Sequence, residues 1–233
     1  MELKKLKRTG FFPTIIFGAL LGASIPILNM IIRTDVYVNM NGSPLKILLD
    51  ANWQLMGLIN LLIIIIGACF IYNVEFTDNA IQKMEMLPIK LSTIFIKKTM
   101  ILIASMVLVV IMEFLSISIC SFHWFSITNN YIFEIMKFTG ISILFLLPVI
   151  ILMTGISSTC KNIWISLGIG IICIFMAMAV QSSFEIFPFV LPFKVAIDFE
   201  KSKLFNFIAI SLGEVVLFYI LEFIYLKVRR NVV

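Results

Sequence analysis

Charge is what this chain has least of. Asp, Glu, Lys and Arg together make up 13% of its 233 residues, where an ordinary soluble domain carries about 25%. The deficit is not spread evenly. It is concentrated in blocks of roughly 20 residues that have no polar face to turn toward water, which excludes a soluble globular fold. Other chemistry is missing too. There is one histidine, and the four cysteines (Cys69, Cys120, Cys160, Cys173) lack the close spacing of a metal site. They read as small packing residues in or near apolar spans. No GxxxxGK[ST] run and no glycine-rich turn after a strand is present, so ATP hydrolysis is not expected on this chain. The net charge of +5 is scattered over the ends of the apolar blocks and gathers into no single patch, which argues against a nucleic-acid surface.

What is present is apolar length. Hydrophobic residues make up 61% of the chain, and the mean hydropathy is +1.09. Lipid cannot hydrogen-bond an exposed backbone, so blocks of this length must be helices. Six spans are predicted, at residues 11–32, 55–74, 99–122, 135–157, 163–180 and 206–226. With both termini inside, twelve of the 18 basic residues fall in the cytoplasm and six outside. This two-to-one bias and the even span count agree on an N-in, C-in topology. The reading is an all-α polytopic protein of the bacterial cell membrane, with residues 1–233 forming one transmembrane domain. The charged start, MELKKLKRTGFFP, lacks a small-residue cleavage signature. It reads as a retained interfacial turn with Lys4, Lys5, Lys7 and Arg8 among lipid head groups.

Three connectors interrupt the spans. The loop from Arg33 to Gln54 reads as a plain polar connector with a turn at residues 41–44. The segment 182–205 is aromatic-rich but broken by Pro188, Pro192 and several charges, which suggests an external re-entrant or interfacial hairpin. Residues 75–98 form a charged island between spans two and three. Within it Phe76, Ala80, Ile81, Met84 and Leu87 fall on one helical stripe, Asp78, Lys83 and Glu85 lie off it, and Pro88 ends it. An amphipathic cytoplasmic helix there gives a soluble partner something to grip. In the first span, Gly18 and Gly22 have a small-xxx-small spacing suited to close helix packing, within the chain or between copies. Pro26 and Pro148 are expected to kink the first and fourth spans.

Three carboxylates lie inside predicted spans, where an ionised group is costly and normally faces a cavity, a partner or the interface. Glu222 sits near the cytoplasmic end, within reach of the head groups. Glu113 and Glu214 lie at similar depth on different helices; they are either a polar lining for a cationic substrate or structural hydrogen-bonding groups. Cys120 and His123, three residues apart, invite a thiol–imidazole reading, but no orienting carboxylate is close in sequence.

The island carries a family resemblance: Glu75, then Asn79, Lys83, Leu87-Pro88 and the basic pair Lys97-Lys98. On these residues and the six-span layout, the whole chain resembles the permease subunits of type-2 ABC exporters. It looks closest to the short permeases of lantibiotic-immunity and bacitracin-resistance transporters. The commoner family pattern has Glu-Gly-Thr where this chain has Thr77-Asp78-Asn79. The resemblance implies a transport subunit with no ATPase site of its own. It would work with an ABC ATPase, in two copies, that carries ATP and Mg, and with a second permease, identical or homologous. Glu75, Asn79, Lys83, Leu87 and Pro88 would form the coupling helix, Glu113 and Glu214 would border the substrate path, and the cargo would be an amphipathic cationic antimicrobial peptide. A partner-binding sensor or scaffold, a stand-alone carrier and a membrane enzyme are the alternatives.

Overall fold

The computed structural model describes residues 5–7, 9–76, 91–126, 130–180, 186–194 and 201–232. These residues form an all-helical bundle: α1 (Phe11–Val38), α2 (Pro44–Phe76), α3 (Leu91–Trp124), α4 (Tyr131–Thr159), α5 (Ile163–Val180), a short 3-10 turn η1 (Leu191–Phe193) and α6 (Lys201–Val232). Six helices are long and apolar enough to cross a membrane, and every predicted span lies inside one of them. The fifth agrees at both ends.

The helices outrun the spans. α2 has 33 residues, which at 1.5 Å per residue is about 50 Å, well beyond a ~30 Å hydrocarbon core. It begins at Pro44, so the stretch up to Gln54 is not a loop. Leu45, Leu48, Leu49, Asn52, Trp53 and Met56 are buried along it, at the i, i+3, i+4 spacing of one helix face. The connector itself shrinks to a turn at residues 39–43. α1 likewise runs past Ile32. Its dihedrals break at Arg33 (φ −127°, ψ 33°), where the apolar run ends.

α2 is the centre of the bundle. It packs on α1, α3, α4, α5 and η1, and 67% of its most apolar window is buried, against 17% for α6. α6 rests mainly on α4. α1, α5 and α6 therefore turn large apolar side chains outward, among them Phe17, Phe175 and Phe205.

Glycine sets the closest approaches. A Cβ at Gly18 would stand 2.6 Å from the Ile63 side chain of α2, and one at Gly22 would collide with the Glu113 carboxylate of α3. The small-xxx-small spacing thus serves packing within the chain. Pro148 removes the N–H that would bond the Leu144 carbonyl one turn earlier, and Ser211 of α6 donates to that carbonyl at 2.9 Å instead. Within the segment 182–205, residues 186–194 turn into the bundle and 201–205 begin α6. Phe189, Val190 and Leu191 are fully buried, and the Pro192 carbonyl lies 3.0 Å from where a Gly57 Cβ would be.

Candidate functional site

Glu75 lies on the last turn of α2, at the start of the island, yet its side chain is buried. Two cations answer it. Lys98 of α3 lies 3.0 Å from Glu75 Oε1 and Lys5 of the N-terminal turn lies 3.3 Å from the same oxygen. The Lys98 ammonium also donates to the Ile71 carbonyl at 2.8 Å and stands 4.5 Å from the centre of the Tyr72 ring. A buried ion pair holds only when its remaining hydrogen-bonding capacity is used, and the carbonyl and ring supply that here. The neighbouring Lys97 is exposed, so the basic pair divides: one lysine faces outward, the other locks the helices. The geometric consequence is that α2 and α3 are joined through Glu75 and Lys98, the two ends of the island, on either side of residues 77–90.

A second polar group lies deeper. Asn60 of α2 donates to Glu113 Oε2 at 2.8 Å. Trp53, Asn60, Glu113, Ser142 and Pro192 border a cavity of about 20 Å³, room for one water molecule. Glu214 does not border it. That residue is buried on α6, and neither of its carboxylate oxygens has a hydrogen-bond partner among the described residues. Glu222 is buried on α6, facing α4. It accepts from Ser158 of α4 at 2.9 Å and borders a groove of about 280 Å³ between α4 and α6. Cys120 is buried while His123 is exposed on the same helix, so the thiol and imidazole do not face each other. Cys69 sits with two serines from other helices, 3.4 Å from Ser166 and 3.9 Å from Ser157, as a buried packing contact.

A family profile described as ABC-2 family transporter protein matches residues 1–177. The chain belongs to this ABC-2 transporter family. No curated protein and no solved structure matches it. Membership makes the chain the multi-pass membrane component of an ABC transporter in the cell membrane, working with an ATPase subunit that is a separate partner. The matched stretch covers α1 to α4 and most of α5, including both polar clusters described above.

Of the coupling residues expected in this ABC-2 protein, Glu75 is described; Asn79, Lys83, Leu87 and Pro88 lie outside the described residues. Lys98, Lys5, Asn60 and Trp53 were not singled out as site residues. Asn60 had a visible signal, a lone amide in an apolar span, where polar side chains seek partners on neighbouring helices. Lys98 had none that separated it from Lys97.

Proposed function

We propose that this chain is the permease through which a nucleotide-driven ATPase moves an amphipathic, cationic antimicrobial peptide from the membrane outward, in self-immunity or resistance. The observation that carries the mechanism is the buried Glu75–Lys98 pair at the base of the island. A loop that hangs freely between two helices absorbs a push. A connecting segment whose flanks are tied by a buried, hydrogen-bonded ion pair passes the push to both helices together. In this reading the ATPase grips residues 77–90 from the cytoplasm, with Asn79, Lys83, Leu87 and Pro88 as the contact, and Glu75 acts behind it as the anchor. Two ATPase copies and a second permease complete the assembly. The outward apolar faces of α1, α5 and α6 give that second permease a surface to pack on. The peptide cargo is supported by the Glu75–Asn79–Lys83–Leu87-Pro88 pattern of the immunity permeases. Of Glu113 and Glu214, the second, on the exposed helix α6, is the one we assign to a cationic cargo.

The test is copurification of the tagged chain with its ATPase in mild detergent, followed by ATPase and transport assays in nanodiscs. Leu87→Asp is expected to abolish stimulation of the ATPase while leaving insertion intact. Glu214→Gln is expected to keep ATPase coupling and reduce protection against the cationic peptide. Normal transport by the Leu87 variant would remove the coupling assignment. A chain that purifies alone and hydrolyses nothing would remove the exporter reading.

A further inference from the structure

Three buried polar atoms on residues that line the Glu113 cavity have no hydrogen-bond partner among the described residues: Trp53 Nε1, Asn60 Oδ1 and Glu113 Oε1. All three residues border that one cavity of about 20 Å³, and all three are more than nine-tenths buried. Their chemistry is mixed, since the indole N–H can only donate while the amide and carboxyl oxygens can accept. We propose that the cavity is a binding site for a single structural water molecule that joins α2 to α3. One water fits the volume, and three hydrogen bonds are what a buried water typically makes. It accepts from the Trp53 indole and donates to Asn60 Oδ1 and Glu113 Oε1. A bare monovalent cation would be held by the two oxygens and repelled by the indole N–H, so the donor is what selects water. Gly22 of α1 leaves the Glu113 carboxylate its place beside the site, and Pro192 of η1 borders it from the fourth side. A bridging water is nearly as good as a direct hydrogen bond, so it joins α2 to α3 here without leaving a buried polar group unpaired.

Radiolytic footprinting of the full chain in lipid nanodiscs, in H₂¹⁸O, tests this directly. A bound water generates hydroxyl radical in place and labels its neighbours even where bulk solvent does not reach. Four buried methionines provide the internal comparison: Met56 borders the cavity, while Met30, Met106 and Met153 do not. The expected result is several-fold faster oxidation of Met56, and oxidation of Trp53, with the other three protected. Ser142→Leu fills the cavity and should bring Met56 down to the level of Met153, whose unchanged protection reports an intact fold. Equal protection of all four methionines in the native chain would overturn the site. So would Met56 labelling that disappears when choline is replaced by sodium or potassium, because the ligand would then be a cation.

Discussion

Two glutamates are buried where α2 meets α3, and they are answered differently. Glu75, at the island end of the bundle, faces two lysines at 3.0 and 3.3 Å. Glu113, deeper in, has one amide at 2.8 Å and an oxygen left over. The first arrangement is closed: charge meets charge, and the lysine's remaining capacity goes to a carbonyl and a ring. The second is open, with hydrogen-bonding groups to spare and no cation beside them among the described residues. Closed clusters fix a geometry, because separating the partners strands a charge. Open clusters let partners be exchanged. The bundle therefore is clamped where the ATPase is proposed to push and adjustable where the helices are proposed to shift.

The comparison breaks most sharply at Lys98. Lys98→Met leaves Glu75 buried with only the half-exposed Lys5 for company and is expected to cost about 3–5 kcal/mol. Lys97→Met, one residue away but exposed, should stay within about 0.5 kcal/mol. Denaturant unfolding in mild detergent measures both. The double variant Glu75→Met with Lys98→Met should recover much of the loss, since replacing both members of a buried pair is far milder than removing one. Equal effects of the two lysine substitutions would show that the ion pair clamps nothing.

At the open cluster the expected penalty is smaller. Gly22→Ala places a methyl group against the Glu113 carboxylate, which must move and strain its bond to Asn60, an overpacking cost of about 1–3 kcal/mol. Gly168 is a matched control in α5, where a Cβ would meet nothing within 4 Å. Alanine there should be neutral or stabilising by up to about 1 kcal/mol through helix propensity. If the two alanines behave alike in thermal unfolding, the close approach at Gly22 has no energetic weight.

Much of this architecture was legible in the residues, for a physical reason. Lipid leaves helices as the only solution for a long apolar run, so residues 163–180 had one reading and the structure repeats it. Residues 45–54 were misread as loop because Lys46, Asp50 and Gln54 lower the hydropathy there. The apolar period of Leu45, Leu48, Leu49 and Trp53 was the better guide. The clusters were half legible. Burial of Glu113 follows from its place inside a span, but its partner Asn60 is 53 residues away, and helix adjacency is not written in one sequence. Glu75 stood out as a member of the island. Its burial depends on Lys5 and Lys98, which come to it from separate helices only in three dimensions.

The mildest contrast is a neutral pair, and its test is the cleanest. Ser211 donates to the Leu144 carbonyl, which Pro148 has deprived of its helical partner. Hydrogen bonds between membrane helices average about 0.6 kcal/mol and reach about 1.7, so Ser211→Ala should cost an amount in that range. The cause assigned here makes a stricter demand. Pro148→Ala restores an N–H that can reach the Leu144 carbonyl, so in that background Ser211→Ala should cost close to nothing. A hydroxyl valued only for its packing would cost the same in both backgrounds. Non-additivity would therefore show that the α4–α6 contact exists to satisfy a carbonyl freed by a proline. The same logic, a buried polar group and the partner it finds, would then run down the scale from an ion pair to a single hydroxyl.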